Sequence, residues 1–156
     1  MSQLTQLDAI LTRRLALPTH SAGWRRARLL AHLGDGPNVF GLLLAGYGLG
    51  WLLGSAQVRQ AVVVIALTVL AAMLAVTGIK FAVRRRRPVP PGEFVTFQYD
   101  KYSFPSGHAA RTIAFALAAI FFYPLVGAIL VVVALAIALA RIAVGVHYVS
   151  DVLAGL

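Results

Sequence analysis

Residues 61–79, AVVVIALTVLAAMLAVTGI, contain no charged side chain. At ~1.5 Å per residue, a helix of this length reaches about 28 Å, close to the ~30 Å hydrocarbon layer of a bilayer. In lipid the backbone must satisfy its own hydrogen bonds, so the run reads as a spanning helix. Working outwards, residues 39–53 form an apolar run before it, with Gly34-Asp35-Gly36-Pro37 ahead as loop and helix start. Residues 108–123 and 125–146 form two runs after it, divided by Pro124. The runs at 61–79 and 125–146 are long enough to span, and those at 39–53 and 108–123 need flanking residues to do so. A fifth run opens at His147. Its residues up to Leu156 cover only roughly 15 Å as helix, so this last helix is expected to be cut short. The expected fold is all-α: one polytopic transmembrane helix bundle. Composition agrees, with 60% of the 156 residues hydrophobic and a mean hydropathy of +0.82, above ordinary soluble domains.

The N-terminal residues read differently. Leu4, Leu7, Leu11 and Leu15 recur at helical spacing beside Arg13 and Arg14. Trp24, Ala27, Leu30 and Leu33 repeat the pattern against Arg25, Arg26 and Arg28. Both segments are too polar to span and are expected to be amphipathic helices lying at the membrane interface, the alternative being a solvated arm. Residues 1–36 are therefore separated from a transmembrane unit, 37–156. No continuous apolar core marks a cleavable signal peptide in the first twenty residues. The absence of cysteine excludes a disulfide framework and a thiolate metal site. A net charge of +9 calls for an anionic partner. Nucleic acid is not expected, because the aromatics lie within apolar runs rather than among the basic residues; lipid headgroups or a phosphorylated substrate fit better.

Polar residues gather in three clusters at the ends of these runs: Lys80 with Arg87-Pro88, Pro105-Ser106-Gly107-His108, and Arg141 with His147 and Asp151. Ionisable groups near a bilayer core are costly and mark functional sites. Counting crossings brings them together. The second run returns to the N-terminal side and delivers Lys80 and Arg87. The third starts there at His108, the fourth returns with Arg141, and the fifth starts at His147. Residues 84–104 form the long polar loop between spans, a length usually reserved for function.

Each cluster has a chemical reading and a plain one. Lys80 and Arg87 would share a face if the second helix continued that far, although Pro88 disfavours helix at Arg87 and puts it at a helix end. The plain reading is a basic stretch at the membrane surface. Ser106 suits an N-cap, and Gly107 lets backbone N–H groups approach an anion at a helix start beside His108. The plain reading is an ordinary cap with an interfacial histidine. His147 and Asp151 share a helical face, where the carboxylate orients the imidazole and leaves its other nitrogen to act as nucleophile. The plain reading is a surface contact. Two histidines and a carboxylate also make a metal triad, but the surrounding cations disfavour a metal ion and favour an anion.

In spacing, these residues resemble the type 2 phosphatidic acid phosphatases, a family that includes the vanadium haloperoxidases. The family pattern is Lys, six residues, Arg-Pro; then Pro-Ser-Gly-His; then Ser-Arg, five residues, His, three residues, Asp. Lys80 to Asp151 match at every point except Ala140, where the family has Ser. The resemblance implies that His147 attacks phosphorus, Asp151 orients it, and His108 protonates the leaving alkoxide and then activates water. It implies that Lys80, Arg87, Ser106, Gly107 and Arg141 bind the phosphoryl oxygens. No cofactor and no metal are implied.

The apolar character favours a lipid phosphate over haloperoxidase chemistry, which belongs to soluble relatives. Phosphatidic acid, phosphatidylglycerol phosphate and polyprenyl phosphates or diphosphates are the substrate classes, and the short loop between Pro88 and Pro105 points to an open site. The expected setting is a bacterial inner membrane. All of the 14 Lys and Arg except Arg59 fall on the active-site face, which makes that face cytoplasmic by the positive-inside rule. Many bacterial relatives act on the outer face instead. A second class of function is a catalytically silent membrane scaffold or an anion-binding transport subunit.

Overall fold

The computed structural model describes residues 3–88 and 101–156, and all regular structure among them is helical. The expected aromatic-polar part of the long loop, and with it the openness expected of residues 88–105, lies largely outside the described residues. In chain order the helices are α1 (Gln3–Leu15), α2 (Ala22–Leu33), α3 (Gly36–Leu52), α4 (Ala56–Val83), α5 (Gly107–Ile120), α6 (Pro124–Ala143) and α7 (Val149–Leu153). Their starts follow local chemistry. Ser21, Ser55 and Ser106 cap α2, α4 and α5 by accepting from Trp24, Val58 and Ala109 N–H groups. Pro37 and Pro124 occupy the first turns of α3 and α6, where a missing N–H costs nothing.

Helix α4 stops before Arg87. It ends at Val83, and Arg84 adopts a left-handed conformation (φ 53°) that turns the chain away. Arg87 therefore lies in the loop, and the helical face it would have shared with Lys80 does not form. Between α6 and α7 the turn passes through Gly145 at φ 85°, which is open to glycine and strained for other residues.

Neighbouring helices pack in the order α3, α4, α5, α6, α2, with α1 against α6 and α7. Val39 and Leu43 of α3 meet Ile65 and Val69 of α4 and Ala118 and Ala119 of α5. Trp24 and Ala31 of α2 meet Ala140 and Val144. Ala109, Ala138, Ile142 and Val152 join α5, α6 and α7 beneath the site. The buried apolar residues of α5 and α6 are thus mostly alanine, while large side chains of α3 and α6 point outwards: Leu44 is 74% exposed, Leu52 86% and Leu125 76%. Exposing each such leucine to water forfeits about 1.5–3 kcal/mol, a penalty that lipid removes. Small residues inside and large apolar ones outside is how helices pack in membranes. Helices α4 and α6 are long and apolar enough to cross, and most of α4 is not buried against the rest of the protein, unlike the core helix of a soluble domain. The molecule is an integral membrane helical bundle.

Candidate active site

The three polar clusters converge at the end of the bundle where α4 and α6 finish and α5 and α7 begin. Ser106, at the start of α5, donates its backbone N–H to the Asp151 carbonyl at 2.8 Å, which joins the second cluster to the third. Arg87 donates through Nη1 to the Val146 carbonyl at 3.0 Å, and the same nitrogen lies 3.3 Å from His147 Nε2, which joins the first cluster to the third. Lys80, in the last turn of α4, donates through Nζ to the Tyr102 carbonyl at 2.6 Å. Ser103, one residue on, donates its N–H to the Arg85 carbonyl, so residues 101–106 lie along the start of the loop that carries Arg87. The Arg111 and Arg141 charges both bear on His108.

Burial is severe. Arg141, His147 and Asp151 are fully enclosed, and Ser106 and His108 are buried. His147 Nδ1 stands 3.5 Å from Asp151 Oδ2, longer than an ordinary hydrogen bond, as catalytic pairs often are before substrate binds. Asp151 Oδ2 also accepts from the Tyr148 N–H at 2.9 Å, which ties the carboxylate to the start of its own helix. Gly107 is buried, and a Cβ there would stand 3.7 Å from Met73 and 3.8 Å from Val76 of α4, so packing alone does not demand a glycine at this position.

Several residues at the site carry no motif. Arg85 donates to Asp151 Oδ1 and to Asp8 Oδ2, both at 2.7 Å, and to Ser150 Oγ at 2.6 Å. Asp8, on α1, also accepts from the Ser150 N–H at 3.1 Å and from its hydroxyl. Burial raises the Asp8 carboxyl, and the bonds from Ser150 and Arg85 outweigh it, leaving the group below its ordinary value. Asp35, between α2 and α3, pairs with His108 Nε2 at 2.7 Å and with His32 Nδ1 at 2.8 Å. Burial pushes Asp35 up, but its two histidine partners prevail and hold it at about 2. The sequence contains only five acidic residues, and Asp35 opens the first span, so the crossing count already puts it on the site's face. The same count puts Asp8 on that face, but its partners, on α7 and in the loop after α4, are carried by no local pattern.

Two buried imidazoles, one of them against the Arg87 guanidinium, with a helix N-terminus opening at Ser106, are suited to an anion with several oxygens. The fold is similar to a solved structure described as the first transmembrane PAP2 type phosphatidylglycerolphosphate phosphatase from Bacillus subtilis, with a TM-score of 0.78 and 22% identity over 99% of this chain and 80% of that one. The sequence matches the PAP2 superfamily over residues 61–156, a stretch that holds all three clusters. By that match the chain belongs to the PAP2 superfamily, the family of the type 2 phosphatidic acid phosphatases.

Proposed function

We propose that this protein is a metal-independent lipid phosphatase that hydrolyses a phosphomonoester or diphosphate through a phosphohistidine on His147. The observation that carries the proposal is the contact of Arg87 Nη1 with His147 Nε2 at 3.3 Å, while His147 Nδ1 faces Asp151. The nitrogen turned away from the carboxylate lies against a cation, where a phosphoryl oxygen would sit as the nitrogen attacks phosphorus. In the first step the His147 Nε2–P bond forms, the bond from phosphorus to the lipid oxygen breaks, and His108 protonates that oxygen. In the second, His108 takes a proton from water, the hydroxide attacks phosphorus, the P–N bond breaks and inorganic phosphate leaves. Arg87, Arg141, Lys80 and the N–H groups at Ser106 and Gly107 hold the phosphoryl oxygens as charge builds on them, which is usually the largest contribution to catalysis.

The apolar exterior supports a lipid substrate, and phosphatidic acid, phosphatidylglycerol phosphate and polyprenyl phosphates are the classes to screen. Phosphate release from detergent-solubilised protein tests the reading. Turnover is expected to persist in EDTA, to fall with vanadate, which adopts the five-coordinate geometry of the transferring group, and to drop about 1000-fold or more in His147→Ala. Undiminished turnover in that variant would remove His147 as the nucleophile.

A further inference from the structure

Asp35 occupies the N-cap of α3, where an aspartate ordinarily accepts from the backbone of the first turn. Its side chain makes no such bond. Both oxygens go to imidazoles instead: Oδ1 to His108 Nε2 at 2.7 Å and Oδ2 to His32 Nδ1 at 2.8 Å. The turn that carries it is shaped for close approach to α5. Gly34 is buried, and a Cβ there would stand 2.9 Å from Ile137 and 3.2 Å from both His108 and Thr112. Arg111, one turn into α5, donates through Nε to the Gly34 carbonyl at 2.9 Å and holds the turn down. Asp35 is thus the carboxylate in direct contact with the buried His108 ring.

We propose that Asp35 is the positioning residue of His108. It accepts the Nε2–H bond, fixes the orientation of the ring, and stabilises its protonated form, as the buried aspartate of a serine-protease triad does for its histidine. With Nε2 committed to Asp35, the proton that moves is the one on Nδ1. It passes to the leaving alkoxide oxygen in the first step and is replaced from water in the second, while Asp35 stays ionised throughout. The inference rests on the assignment of His108 as the general acid, and it adds a second carboxylate–imidazole pair to that of Asp151 and His147.

The test compares two leaving groups. An alkoxide leaving from phosphatidic acid needs a proton, and 4-nitrophenolate leaving from 4-nitrophenyl phosphate does not. In Asp35→Asn, kcat/KM, which reports the steps up to departure of the leaving group and excludes the shared hydrolysis of the phosphohistidine, is expected to fall about tenfold or more on phosphatidic acid, and on 4-nitrophenyl phosphate by less than about threefold. His108→Ala should show the same bias, enlarged. Equal loss on both substrates in Asp35→Asn, or no loss on either, overturns the inference. If His108→Ala shows no bias, the acid assignment falls and the inference with it; if only Asp35→Asn lacks the bias, the inference alone falls. Should Asp35→Asn fail to fold, Asp35→Glu keeps the charge one methylene further out. It is expected to show a smaller bias of the same sign, and equal loss on both substrates would again overturn the proposal.

Discussion

Arg85 donates to Asp151 Oδ1, Asp8 Oδ2 and Ser150 Oγ, and its guanidinium lies 3.9 Å from the centroid of the Tyr148 ring. Asp151 is fully enclosed, and a buried carboxylate stripped of its cation is destabilising. Arg85→Gln keeps a donor and loses the charge; kcat is expected to fall about tenfold, read on the solubilised protein at saturating substrate. Nothing in the sequence separates Arg85 from its neighbours. It is one of four consecutive arginines, and only Arg87 stands out, through the following proline and the distance to Lys80. Arg85 is selected by Asp8, 77 positions away on α1, a pairing that no local pattern carries. Asp35 is different. It sits before an apolar run at a countable crossing, and what concealed it was its reading as an ordinary turn residue.

Helix α7 has five residues, too few to be stable alone, yet it follows His147 directly and carries Asp151. Its first N–H groups are met from outside. Val149 N–H donates to Thr12 Oγ1 at 3.2 Å, and Ser150 N–H donates to Asp8 Oδ1 at 3.1 Å. Helix α1 thus caps α7. Thr12 is buried, so Thr12→Val leaves the Val149 N–H without its acceptor and is expected to cost about 1–3 kcal/mol, measured as a lower midpoint of thermal unfolding in detergent. The apolar helices themselves were legible, because runs bounded by glycine, proline and serine leave little choice of boundary. The end of α4 was not: a left-handed arginine occupies a position that glycine usually marks.

At the scale of the whole molecule, charge is polarised. Arg59, in the first turns of α4, donates to the Gly50 carbonyl and lies over the Trp51 ring, at the end of α4 opposite Lys80. By the crossing count the remaining lysines and arginines fall on the side of the site. We propose on that ground that the site faces the cytoplasm. The chain has no cysteine, so Arg25→Cys supplies a single label position without background. An impermeant maleimide is expected to leave it unlabelled in intact cells and to label it after lysis; ready labelling in intact cells reverses the orientation.

The match to the superfamily begins at residue 61, downstream of both Asp8 and Asp35. A shortened protein drawn to that boundary would retain every motif residue and discard the carboxylate paired with His108, along with the helix that shares Arg85 with Asp151. The hydrogen-bonded unit of this bundle is larger than its motifs, and its perimeter reaches back from Asp151 through Arg85 to Asp8.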